Sequence, residues 1–91
     1  IYVPNAFSPN GDGDNEYFFP VLNGPAPEDF MLHIFDRWGA LVFVTTDYLE
    51  KWDGSFRGSQ AQQDVYVWEI SYREAGNEEV NVIKGHLSLL R

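Results

Sequence analysis

DVYVWEISYREAGNEEVNVIKGHLSLLR, residues 64–91, reads as two long strands joined by a polar turn. Tyr66, Trp68, Ile70 and Tyr72 recur at period two and so share one face, which their size marks as the core side. Val65, Val67, Glu69 and Ser71 take the opposite face. Glu74-Ala75-Gly76-Asn77 supplies the turn, its Gly-Asn pair suited to positive φ. On the return strand Val80 and Val82 have one parity, Leu87 and Leu89 the other. That switch predicts one extra residue, and Gly85 is the natural place for a bulge. The rest of the chain is expected to pack onto this hairpin.

Working outward, residues 1–7 read as a short strand, with Pro4 placing it at an edge or near a bulge. Residues 8–15 form a loop dense in Asn, Gly and Asp, and residues 16–23 return as a second strand. The two prolines of GPAPED, residues 24–29, exclude helix and central strand. Residues 30–35 are almost without polar side chains, as expected of a strand covered on both faces. Residues 36–39 turn the chain and residues 41–46, rich in branched side chains, form a fourth strand. Residues 47–61 are irregular around the turn Trp52-Asp53-Gly54, with a short edge strand near residues 55–58. No window carries helical periodicity, and there is no internal repeat. The pattern predicts an all-β fold, an immunoglobulin-like antiparallel β-sandwich of about six to seven strands, with a small barrel as the alternative.

Ninety-one residues make one domain, spanning 1–91. At that size roughly 60–65% of the unfolded surface can be buried, enough for a solitary core. The 44% hydrophobic content argues against disorder. Fourteen acidic residues against six basic ones give a net charge of −8, which repels nucleic acid and anionic lipid and suits calcium or a partner with basic loops. There is no cysteine, hence neither disulfide nor zinc-thiolate chemistry. No apolar run reaches the ~18 residues of a membrane span and no signal peptide opens the chain. An opening Ile1 without methionine suggests a domain cut from a longer polypeptide, with any export signal upstream.

Several side-chain groups are candidates for chemistry. Asn10, Asp12, Asp14 and Glu16 place oxygens at alternate positions with glycines between, as a calcium loop does. The match is partial, because residue 15 is not glycine and Val21 stands where a distal bidentate glutamate would be. The competing reading is an acidic turn closed by Asx hydrogen bonds. Trp38 and Trp52 both sit at turns, where an indole either stacks on a sugar or partner or, as tryptophan commonly does, folds back over the core. Arg37 is placed to stack on Trp38 or to pair with Asp36 or Asp53. His33 and His86 lack companion ligands and read as ordinary strand residues. Glu78 and Glu79 are adjacent and point apart on a strand, so they do not form an acid–base pair. With no nucleophile elbow and no phosphate-cradling glycine loop, the chain is not expected to be an enzyme.

VPNAFSPNGDGDNEYF (residues 3–18), IFDRWGALVF (34–43), WDGSFRG (52–58), VYVWEI (65–70) and KGHLSLLR (84–91) occur in an order that resembles one family. It is the type B C-terminal sorting domain of the type IX secretion system, also called the gliding motility-associated C-terminal domain. The resemblance covers essentially the whole chain. The second half is also similar to the immunoglobulin-like domain of flagellar hook-capping proteins. Where the family commonly has a proline and a glycine before its V-Y-V-W strand, this chain has Gln62-Gln63-Asp64, and Glu16 stands where an aspartate is usual.

The resemblance implies a secretion address; the one cofactor suggested is calcium, from the spacing of the acidic loop and not from the resemblance. Its expected partners are an N-terminal cargo protein and outer-membrane translocon components, a barrel receptor or a shuttle protein, with no nucleic acid or small-molecule substrate. Periplasmic transit followed by surface display or release is the expected route. The residues expected to meet the receptor are Lys84, Gly85, His86, Leu87 and Arg91 of the closing strand, with Arg37 and Trp38. Two other classes stay open: an adhesive or structural sandwich module, and a carbohydrate-binding domain using Trp38 and Trp52.

Overall fold

The computed structural model describes residues 1–11, 13 and 15–91. Seven strands follow in order: β1 (Ala6–Phe7), β2 (Glu28–Phe35), β3 (Leu41–Thr45), β4 (Ser55–Phe56), β5 (Ser59–Gln60), β6 (Asp64–Arg73) and β7 (Val80–Leu89). No helix occurs among the described residues. Five strands form one sheet in the order β1-β7-β6-β2-β3, and β4-β5 is a separate hairpin. The all-β sandwich is therefore present, built as one large sheet with a second layer of short bridges and the β4–β5 hairpin. One pairing departs from the antiparallel rule: β1 runs parallel to β7, Ala6 beside Ser88 and Phe7 beside Leu89.

The β6–β7 hairpin is the spine. Its register is unbroken from Asp64 beside Leu89 to Arg73 beside Val80. Gly76 takes φ 80° in the turn, and the Asn77 amide donates to the Glu74 carbonyl at 2.9 Å. Tyr66, Trp68 and Ile70 are buried, as their period-two spacing predicts. The expected bulge at Gly85 is absent. Residues 80–89 alternate without interruption, Leu87 and Leu89 buried on the inner face and Val80 and Val82 exposed on the outer. Gly85 instead answers to the side chain across from it. A Cβ there would lie 2.8 Å from the Trp68 ring, so the indole occupies the space that any other residue's Cβ needs.

The bulges lie in β2. Its register shifts between Glu28 and Met31 against β6, where Asp29 takes φ 51°, and between Ile34 and Phe35 against β3. Phe30, Leu32 and Ile34 of β2 are buried, whereas Met31, His33 and Phe35 of the other parity are only half-buried. The strand is thus covered on one face and only half-covered on the other. His33 and Phe35 stack with ring centroids 5.9 Å apart.

The segments expected as strands at residues 1–7 and 16–23 reduce to β1 and two single bridges, Tyr2 with Val21 and Phe18 with Trp52. Pro4 and Pro20 have no amide hydrogen to extend either ladder. Trp52 closes the core at 1% exposure. Phe7, Phe43 and Tyr66 surround its ring at centroid distances of 5.4, 6.3 and 5.3 Å. Its indole N–H donates to the Ser55 carbonyl at 2.9 Å, leaving no orphan polar atom. Residues 62–64 contain no positive φ, so the missing family glycine is not needed here.

The Trp68–Gly85 contact is testable. Gly85→Ala is expected to lower stability by about 1–3 kcal/mol, because the methyl must displace an indole packed in the sheet. In urea unfolding, pairing it with Trp68→Leu should recover part of that loss, a non-additivity two independent sites would not show.

Candidate docking surface

The sequence assigns partner contact to β7 and to the β2–β3 turn, and the structure divides those residues into two groups. Lys84 and His86 stand exposed on the outer face of the sheet. Leu87 belongs to the opposite parity and is fully buried, so it builds the core and presents nothing to a partner. Gly85 lies beneath Trp68.

Arg91 is spent within the domain. Its guanidinium donates to the carbonyls of Pro9 (3.2 Å), Gly54 (3.0 Å) and Ala61 (2.8 Å), and its amide donates to Gln63 Oε1 (3.0 Å). Three loop segments are thereby tied to the end of β7. Gly54 sits at φ 81°, with Pro9, Leu89 and Phe7 crowded around its Cα, which is why the Trp-Asp-Gly turn approaches β7 so closely. Nothing in the spacing of these residues reveals this clamp, since its acceptors are backbone carbonyls distant in sequence.

The β2–β3 turn separates the two turn tryptophans. Asp36 Oδ1 accepts from the amides of Trp38 and Ala40, both at 2.9 Å, and Gly39 takes φ 85°. Trp52 folds inward as expected, but Trp38 does not: it is 83% exposed. The Arg37 guanidinium lies 5.3 Å from its ring centroid. Arg37 pairs with Asp64 at 3.5 Å and with neither Asp36 nor Asp53, since Asp36 is turned to backbone amides and Asp53 caps another turn. Asp64 opens β6 beside Leu89, so Arg37 and Trp38 stand at the end of the sheet where β7 closes.

Beneath them runs a groove of about 270 Å³ lined in part by Asp36, Asp64, Gln62, Phe56 and Tyr66. Burial, and then the charges of Asp64 and Asp36, push the Tyr66 hydroxyl's pKa up. The hydroxyl keeps its proton and donates it to the Gln62 carbonyl.

Of the four calcium candidates, Asp12 and Asp14 lie outside the described residues. The Glu16 carboxylate accepts from the Gly11 amide through both oxygens at 3.0 Å and from the Gly13 amide at 3.3 Å. The Ser8 amide closes the same loop onto the Asn15 carbonyl at 2.7 Å. Among the described residues no three His, Asp or Glu side chains gather at a metal-holding distance. His33 and His86 stand on separate strands, on the same outer face.

The arrangement offers a sheet edge, an open sheet face and an exposed indole, which is the equipment of a recognition module. The family model of the CHU_C type IX secretion signal domain matches residues 1–89, and the chain belongs to that family. Its role is that of a sorting signal for an exported protein to which it is fused, handled by the type IX secretion machinery and destined for the cell surface or release. The family is one of secretion signals and is not a known enzyme family. No curated protein matches the chain.

Two side chains here have measurable consequences. Arg91→Ala removes the charged donor from three carbonyls and should cost about 1–3 kcal/mol in thermal or urea unfolding, with Arg91→Lys recovering only part. Asp53 gives a pH dependence. The Ser55 hydroxyl donates to its carboxylate, and this holds the Asp53 pKa below its ordinary value of 3.8, against the opposing effect of burial. A depressed folded-state pKa stabilises the fold above the unfolded value, and that contribution is lost as pH falls through the folded one. Melting temperature measured from about pH 5 downward should therefore fall less steeply for Ser55→Ala than for the wild type.

Proposed function

We propose that the domain is read as a folded object in the periplasm by an outer-membrane component of the translocon, a barrel receptor or a shuttle protein. The contact runs along the outer side of β7 through Lys84 and His86, with Arg37 and Trp38 as a second point at the strand's far end. One observation carries this reading. β7 divides by parity into a half that builds the core and a half that faces out, so the displayed residues acquire their spacing only when the hairpin is formed. The address is then conformational, and a cargo bearing an unfolded domain would not be recognised.

The alternative, an adhesive module that stacks a sugar ring on Trp38, is supported by that indole's exposure. It makes no demand on β7 or on a translocon, so one experiment separates the two. Truncating β7 does not serve, because deleting residues 84–91 also removes the buried Leu87 and Leu89 and the Arg91 clamp.

The test fuses residues 1–91 to a fluorescent protein carrying an inner-membrane export signal, in a type IX-competent cell. The wild-type fusion is expected at the surface or in the medium, and a translocon mutant should hold it in the periplasm. A Lys84→Glu/His86→Glu variant with unchanged melting temperature should be retained at least several-fold more than wild type. Equal secretion with and without the translocon would overturn the reading.

A further inference from the structure

The open edge of β7 supplies more than a location. The Ser88 amide donates to the Asn5 carbonyl and the Leu90 amide to the Phe7 carbonyl, both at 2.9 Å, so even-numbered residues aim their backbone groups at the β1 side. The ladder to β6 has no register shift, and the alternation therefore runs back unbroken to Val80. β1 covers only Ser88 and Leu89. Upstream of it, Pro4 lacks an amide hydrogen and the chain leaves β7 to bridge Tyr2 with Val21. Among the described residues nothing pairs with the outward amides and carbonyls of Val80, Val82, Lys84 and His86. The gap spans roughly 20 Å at the usual rise of a strand. The sheet's other edge, β3, has half the length and faces a bulge in β2, features that blunt pairing.

Charge is graded along the gap. Lys84 and His86 project beside its far end, and Lys84 makes no ion pair among the described residues. Just ahead of Val80 stand the exposed Glu78 and Glu79, likewise without an ion pair among the described residues. Val80 and Val82 lie between, 61% and 56% exposed. A second copy laid antiparallel would bring the same gradient in reverse, so the order of charge alone does not set a second copy apart from another strand. What weighs against a second copy is the net charge of −8 that each domain carries, which makes two copies repel as whole bodies.

Resting on the docking role above, we propose that the β7 edge takes an extended segment of a partner protein, about six residues long, as an added strand. The segment pairs with the backbone of Val80, Val82, Lys84 and His86. It carries carboxylates where it passes Lys84 and His86, a basic side chain where it passes Glu78 and Glu79, and small branched side chains between, over the two valines.

Amide hydrogen exchange on the 15N-labelled domain tests this, with three synthetic strand-forming peptides as probes: one acidic at one end and basic at the other, one acidic throughout, one basic throughout. In the free domain the amides of Val80, Val82, Lys84 and His86 should exchange at least about tenfold faster than those of Asn81 and Ile83. The dipolar peptide should slow those four, and both uniform peptides should bind at least about fivefold more weakly. Val82→Pro removes an amide the β6 ladder does not use, so it should keep the melting temperature within a few degrees and abolish protection. Lys84→Glu should shift preference toward the basic peptide. Slow exchange of the four amides in dilute free domain, protection appearing only as the domain itself is concentrated, affinity indifferent to charge order, or unfolding of Val82→Pro would each overturn the proposal. Export that proceeds while the edge amides stay unprotected overturns the edge and leaves the sorting role standing. Protection by the dipolar peptide in a domain that fails to export upholds the edge and removes its purpose in secretion.

Discussion

The fold depends on the indole of Trp68 lying across the α-carbon of Gly85. The hairpin register that places these two residues opposite each other is the only one compatible with both. A slip of one residue would bring Lys84 or His86 under the ring and turn Leu87 and Leu89 out to solvent. Since the side-chain period of a strand is two, the same slip would also exchange which backbone groups of β7 face β6 and which face the open edge. Core packing and outward display are thus fixed by one steric fit.

Around that hairpin the second layer is assembled from pieces too short to stand alone. The bridges at Tyr2–Val21 and Phe18–Trp52 are single pairings, β4 and β5 have two residues each, and β1 has two. What holds them is burial: Phe18 and Trp52 are sealed in the core, and Trp52 touches rings from β1, β3 and β6. Polar ties finish the two ends of the sheet. At one, Arg91 joins the loops at Pro9, Gly54 and Ala61. At the other, Arg73 donates to Asp29 at 2.6 Å, Glu28 at 3.0 Å and the Asn77 carbonyl at 2.8 Å, fastening the bulged start of β2 to the hairpin turn. Both clamps gather backbone carbonyls or carboxylates that would otherwise be satisfied by water.

Strand identity was legible wherever the two faces of a strand differ in polarity. Tyr66, Trp68, Ile70 and Tyr72 announce their face, and the turns at Gly39 and Gly76 announce theirs. Parity misled where an outward face is itself apolar. Val80 and Val82 look like core residues, so the change of parity before Leu87 implied a bulge, whereas the valines belong to an uncovered edge. The strand expected at residues 16–23 failed for a different reason, because Pro20 interrupts a ladder whose partners lie far away in sequence. Trp38 and Trp52 have similar local contexts and opposite fates, decided by which is surrounded by Phe7, Phe43 and Tyr66. The proposed docking residues lie mostly on one strand, and only the three-dimensional register separates the exposed Lys84 and His86 from the buried Leu87 and the clamped Arg91. The calcium reading rests on Asp12 and Asp14 as well as Asn10 and Glu16, half of it outside the described residues.

Two exposed valines on an unpaired edge are a hazard, since such an edge invites pairing with any passing strand. Natural sheets suppress this with charge, bulges or cover, and β7 uses charge: Glu78 and Glu79 before the valines, Lys84 and His86 after them. A single sign would repel indiscriminately. Opposite signs at the two ends select a strand with the reverse order of charge, while the net charge of −8 on each domain, rather than that order, weighs against a second copy. The charged side chains that guard the edge against indiscriminate pairing are therefore also those able to choose what it pairs with. For the docking role proposed above, a guarded edge of this kind serves better than a covered one.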